Sequence, residues 1–169
     1  VALNAPGVIQ GNFMGYQWFD LYPNGIYIAE AGPKEFEQIN KEVNQSVRKI
    51  IKTIDKYCES LKITYEDCIL MGFSQGGMIA FEVCNFLKKK LAGLGILSGR
   101  IMSNKSIENK FLLQTPIFIS HGEQDQVIPI IKYHQATQYL QNNKCNFEQH
   151  VLVHDGHNFS PETITLFQK

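Results

Sequence analysis

The chain has 169 residues, a length that fits a single domain, residues 1–169, with a sizeable core. Sixteen basic residues balance sixteen acidic ones, so no global field recruits nucleic acid or an anionic membrane. No run approaches the ~18 apolar residues of a membrane span and no signal-peptide pattern opens the chain, which reads as an ordinary soluble protein.

In chain order, "VALN" reads as the end of a buried strand entering an Ala5-Pro6-Gly7 turn. Residues 8 to 33 are rich in glycine and aromatics, including Trp18, Phe19, Tyr22 and Tyr27, and show no sustained period. From Phe36 to Leu61 apolar residues recur every three or four positions, averaging about 3.6, which predicts an amphipathic helix. "CILMGF", from Cys68, is a short continuous apolar run, as expected of a strand covered on both faces. A helix follows from about Gln75 to the lysines at 88 to 90. "LAGLGILS" and "TPIFISHG" are the next strand candidates, and Pro129 suits the first turn of a helix ending near Asn142. "FEQHVLVHDGH" carries a last strand, and Ser160-Pro161 caps a terminal helix. Alternating strands and helices predict an α/β fold with a largely parallel sheet. Cys58, Cys68, Cys84 and Cys145 form no CxxC pair and no zinc spacing, so reduced thiols in a cytoplasmic protein are expected.

The chemistry concentrates where the apolar run stops. Gly72-Phe73-Ser74-Gln75-Gly76 is GxSxG between a predicted strand and a predicted helix, the context that makes the motif informative. The chain must reverse within a residue or two, straining Ser74, and glycine at 72 and 76 is expected to remove Cβ atoms that would collide. The Ser74 hydroxyl then stands at the positive end of a helix, and the Gln75 N–H points where an oxyanion would form. A serine hydroxyl needs a base and the base an orienting group. Asp125 follows one predicted strand and His157 another, so both fall on the carboxyl edge of the sheet, where open α/β folds bind ligands.

Other residues compete for these roles. Glu123 lies two residues before Asp125 on the same loop. Asp67 precedes its strand, and Asp155 is too close in sequence to His157 to arrive from a neighbouring strand. His121 is expected to hold the first loop and His154 the last. His150, His154, Asp155 and His157 also resemble a metal cluster, but strand geometry turns neighbouring side chains to alternate faces.

"GFSQGG", "LSG", "HGEQDQVIP" and "GHNFSPE", with "APG" and "QWFDL" before them, resemble the blocks of the phospholipase/carboxylesterase family of α/β-hydrolases, which includes the acyl-protein thioesterases. The resemblance covers nearly the whole chain. It implies an α/β-hydrolase fold and a serine esterase or thioesterase acting on acyl esters, small-molecule or protein-borne, with a homodimer as one assembly it allows. It also implies Ser74 as nucleophile, Asp125 as acid, His157 as base, Gln75 as one oxyanion donor, and no metal or organic cofactor. Trp18 and Phe19 would lie near the acyl pocket, or pack the core of a long excursion. Arg100 stands where the family usually has an aromatic residue; such a cation at the site rim either disfavours long acyl chains, meets a charged headgroup, or faces water.

Relatives carry further residues at the front, with the first strands and a loop giving the second oxyanion N–H. The expectation is therefore an α/β-hydrolase domain lacking the family's N-terminal strands, with "VALN" its fourth strand and a gap beside "CILMGF". The competing function is a non-catalytic homologue that binds acyl ligands or a protein partner.

Overall fold

The computed structural model describes residues 1–9 and 15–168. The chain opens without secondary structure over residues 1 to 6. A small antiparallel hairpin follows, β1 (Gly7–Ile9) with β2 (Gly15–Gln17), pairing Val8 with Tyr16. "VALN" is therefore not a strand. Val1 is exposed and Leu3 packs against the core, and among the described residues no neighbouring strand lies alongside to take the segment's backbone groups. The hairpin was not expected; its glycines and its two exposed partners, Val8 and Tyr16, give no alternation of buried and exposed residues to read.

Helix α1 (Pro33–Leu61) starts where Pro33 supplies the first helical φ and the Glu35 carboxylate accepts from the Gly32 amide at 3.1 Å. Its stripe buries Ile39, Val43, Val47 and Ile50 against Phe19, Ile28, Met78, Ile79 and Val83. Beyond Ile50 the stripe continues in sequence but loses its cover. Tyr57 and Leu61 are exposed, and with Ile54 they wall a groove of ≈ 690 Å³ whose other wall is Ile69, Leu70 and Met71.

Those residues belong to β3 (Ile69–Phe73), which opens a fully parallel sheet continued by β4 (Gly93–Leu97), β5 (Ile117–Gly122) and β6 (Phe147–Leu152) in the order β3-β4-β5-β6. The crossovers carry α2 (Gln75–Phe86), α3 (Lys110–Gln114) and α4 (Ile131–Asn142), and α5 (Pro161–Phe167) ends the chain. The sheet alternates as a pleat requires. Leu94, Ile96, Ile117 and Ile119 face a core shared with Phe81, Leu112, Tyr133 and Leu140, while Phe118 turns the other way, onto Phe167 of α5. Helix α5 is capped by Ser160, whose Oγ accepts from the Thr163 amide, as the Ser-Pro signal predicts.

The expectation that "CILMGF" is covered on both faces is corrected. Ile69 and Met71 are exposed, since α5 is short and its Phe167 reaches Phe118 and Gly95 but leaves the outer face of β3 open. The other edge of β3 pairs with no strand among the described residues. Also among the described residues, no helix is long and apolar enough to cross a membrane.

Candidate active site

The carboxyl ends of β3, β5 and β6 place three side chains together. At the end of β3, Ser74 takes φ 54° and ψ −121°, a left-handed conformation costly for any residue with a side chain, and acts as the N-cap of α2. The turn is held because the Ser74 amide donates to the Leu97 carbonyl of β4 at 2.8 Å, while its own carbonyl accepts from the amides of Gly77 and Met78. A Cβ at position 72 would run into the Gly76 carbonyl, and one at 77 would lie 2.9 Å from the Gly72 carbonyl oxygen. The expectation for Gly76 is corrected: a Cβ there would meet nothing nearer than the Trp18 indole at 4.0 Å, so the tight approach belongs to Gly72 and Gly77.

The His157 ring lies between Ser74 and Asp125. Its Nδ1 donates to Asp125 Oδ2 at 2.7 Å, which leaves Nε2 to accept from the Ser74 hydroxyl at 2.9 Å. Phe73 packs against the ring at 4.8 Å between centroids. The Asp125 side chain is fully buried. Burial alone would raise its carboxyl, but hydrogen bonds from His157 and from the Ile128 and Val127 amides outweigh this and hold it below the usual carboxylate range. Both amides reach Oδ1 at 2.8 Å. This is an Asx-type turn, and the signal for it was present in Asp125 heading "DQVIP".

Glu123 is exposed and its amide joins the Leu152 carbonyl, so its carboxyl stands outside this relay. His121 holds the loop as expected: Nε2 donates to the Ile128 carbonyl at 2.7 Å and lies 3.4 Å from Asp125 Oδ2. Burial drives its pKa down, and its Nδ1 has no partner among the described residues. His154 does not hold the last loop. It is exposed, and the loop instead closes through Gln124, whose amide donates to the Asp155 carbonyl and whose side chain donates to the Val153 carbonyl. His150 stacks on Phe118 and bonds Glu148 at 2.6 Å. No group of three or more His, Cys, Asp or Glu among the described residues could hold a metal ion.

Gln75 opens α2, where its amide N–H has no intrahelical acceptor. Its side chain does something the sequence reading missed. Oε1 accepts from the Trp18 amide at 2.7 Å and Nε2 donates to the Phe19 carbonyl at 2.8 Å, tying the aromatic excursion to the serine turn. No local signal marks a long-range pair of this kind. Trp18 and Phe19 part company: Phe19 is buried in the core, whereas Trp18 lines the groove beside Phe73 and Gly76. Arg100 lies just past Gly99, where a Cβ would come within 3.1 Å of the Ser74 carbonyl oxygen. It is half-buried rather than facing water, and burial lowers its pKa.

A hydroxyl, an imidazole and a carboxylate in series at the mouth of a helix can activate the hydroxyl and stabilise charge on the ring. The profile of the phospholipase/carboxylesterase family matches residues 1–169. An acyl-protein thioesterase 1 homolog of Dictyostelium discoideum is 29% identical over 95% of this chain, and acyl-protein thioesterase 1 of Saccharomyces cerevisiae is 30% identical over 87% of it. The chain spans 69% of the first relative's length and 63% of the second's. The crystal structure of Arabidopsis thaliana SOBER1 superposes with a TM-score of 0.75 at 21% identity, over 99% of this chain and 78% of that one, a likeness of fold.

Proposed function

Because the chain belongs to the phospholipase/carboxylesterase family, we propose that it hydrolyses carboxylic esters or acyl thioesters, with Ser74 as nucleophile, His157 as general base and Asp125 as the group that orients and charges against the imidazole. The reading is carried by one observation, the unbroken series Asp125–His157–Ser74 at 2.7 and 2.9 Å. As Ser74 Oγ bonds the acyl carbon, its proton passes to His157 Nε2, and the carbonyl electrons collect on the oxygen. The Gln75 N–H donates to that oxyanion, aided by the N-terminus of α2. The oxyanion then collapses, the bond to the alcohol or thiol breaks, and His157 returns its proton to the leaving group. Water attacks the acyl-enzyme by the same route and releases the acid, restoring Ser74.

The acylated group is a small-molecule ester or an acylated protein, the latter suggested by the names of the two thioesterase relatives. A cytoplasmic setting agrees with four free cysteines, since an oxidising compartment would favour disulfides. Fluorophosphonate labelling tests the proposal, because only an activated serine reacts. Labelling of Ser74, lost in Ser74→Ala and in His157→Ala, is expected together with p-nitrophenyl ester hydrolysis. A folded chain that takes up no label would instead be a non-catalytic homologue that binds acyl ligands or a partner.

A further inference from the structure

A cleft of ≈ 610 Å³ opens between the segment after β4 and helix α4, lined among others by Arg100, Met102, Ser103, Lys132, Gln135 and Tyr139. None of its lining residues is an aspartate or glutamate, while Arg100 and Lys132 both lie along it. Lys132 has a neutral partner in Gln135 Oε1, at 3.2 Å. Arg100 has none: among the described residues no carboxylate lies within salt-bridge distance of its guanidinium and no acceptor takes one of its donors. A half-buried guanidinium keeps its charge at a desolvation cost that an anion would offset.

The position of this cation ties it to the reaction. Leu97 accepts the Ser74 amide, Ser98 takes a left-handed φ of 44°, Gly99 abuts the Ser74 backbone, and Arg100 is next in the chain. The tight turn after β4 thus roots Arg100 one residue from the nucleophile's backbone, and its planar, five-donor fork lines an acid-free cleft. We infer that Arg100 is a specificity residue that selects acyl esters bearing an anionic group, carboxylate or phosphate, with Lys132 completing the site; the inference rests on the serine-hydrolase reading above. The anionic group could belong to the acyl chain or to the leaving alcohol, and two matched pairs of substrates separate these sources. One pair is p-nitrophenyl hexanoate and p-nitrophenyl hydrogen adipate. The other is a monoacylglycerol and the lysophosphatidate with the same acyl chain.

The native chain is expected to favour the anionic member of at least one pair by about tenfold or more in kcat/KM, the scale of one charge-assisted contact. Arg100→Gln brings that ratio close to unity, Arg100→Lys retains part of it because the fork is lost but the charge kept, and Lys132→Gln lowers it less than Arg100→Gln does. Lys132 sits on the helix surface, so its variant reads the cleft even if Arg100→Gln fails to fold. A ratio near one in both pairs for the native chain, or a preference that survives both Arg100→Gln and Lys132→Gln, overturns the inference. Fluorophosphonate uptake separates this from failure of the hydrolase reading. A chain that takes no label is titrated with glycerol 3-phosphate by calorimetry, where heat lost in Arg100→Gln upholds the cleft and no heat in the native chain overturns it.

Discussion

Gln75 and Trp18 are joined across 57 residues of sequence by a 2.7 Å hydrogen bond from the Trp18 amide to the Gln75 side-chain oxygen. With the second bond, to the Phe19 carbonyl, one side chain both anchors the excursion and sits on the residue whose own amide is the proposed oxyanion donor. Gln75→Ala is expected to lower stability by about 1–3 kcal/mol for two partly buried hydrogen bonds. Urea unfolding reads the loss, and amide exchange of Trp18 should accelerate far more than that of β5.

In the proposed relay the acid is Asp125, hydrogen-bonded to His157 at 2.7 Å, rather than the exposed Glu123. Asp125→Asn is expected to reduce kcat by roughly 10⁴, the cost of placing the wrong tautomer against the histidine. Glu123→Gln, with its carboxyl exposed, should stay within about twofold, since surface changes rarely do more. The reverse ranking would move the role to Glu123. Because Asp125 is held below the usual carboxylate range, its contribution to stability is complete above the unfolded carboxyl's pKa of about 4 and fades as pH falls through the lowered native value. Asp125→Asn should therefore flatten the acid limb of the stability profile.

Glu82 of α2 behaves in the opposite sense. Burial, with no compensating hydrogen bond or ion pair among the described residues, pushes its carboxyl up to about 7. The native state then holds a proton that the unfolded chain releases near pH 4, so Glu82 makes stability fall as pH rises between these values. Glu82→Gln is expected to raise stability at about pH 8 by something of order 1–3 kcal/mol and to change little near pH 4. Melting curves at the two pH values check it; an equal shift at both would disprove the assignment.

The open side of β3 is a liability for the isolated chain. A strand edge that pairs with no strand among the described residues, beside exposed Ile69 and Met71, offers a template for association with another copy. The double substitution Ile69→Lys, Met71→Lys is expected to lower the aggregated fraction in light scattering while leaving the circular dichroism spectrum in place. Unchanged scattering would show that association runs through some other surface.

The elements whose period is set by their own burial were legible in the sequence: α1 from its 3.6-residue stripe, β4 and β5 as apolar runs, the α5 cap from Ser160-Pro161. Where a pattern reported apolarity without a partner, the reading failed. "VALN" and "CILMGF" look buried because they are apolar, yet a run of apolar residues cannot say whether a neighbouring strand exists to cover it. Helix α1 does run to Leu61 as its period predicts, yet Tyr57 and Leu61 keep that period while facing a groove. At the site, GxSxG between a strand and a helix pointed to Ser74, and loop positions at the carboxyl edge pointed to Asp125 and His157. The Gln75 clamp and the half-burial of Arg100 depend on how distant segments meet, which no window of sequence records.

The order β3-β4-β5-β6 means that every strand of the sheet pairs with its successor in the chain, so no strand has to be inserted between two already joined. The sheet can therefore grow in one direction, each crossover docking a new strand on the last, in step with synthesis from the N-terminal side. Chemistry comes late in such an assembly. Ser74 is positioned once β3, β4 and α2 have formed, but its partner His157 lies 83 residues further on, past β6. On the proposed reading, a nascent chain halted before β6 would carry the strained serine turn without His157 beside it, and the Asp125–His157–Ser74 series would close only after β6 is laid down.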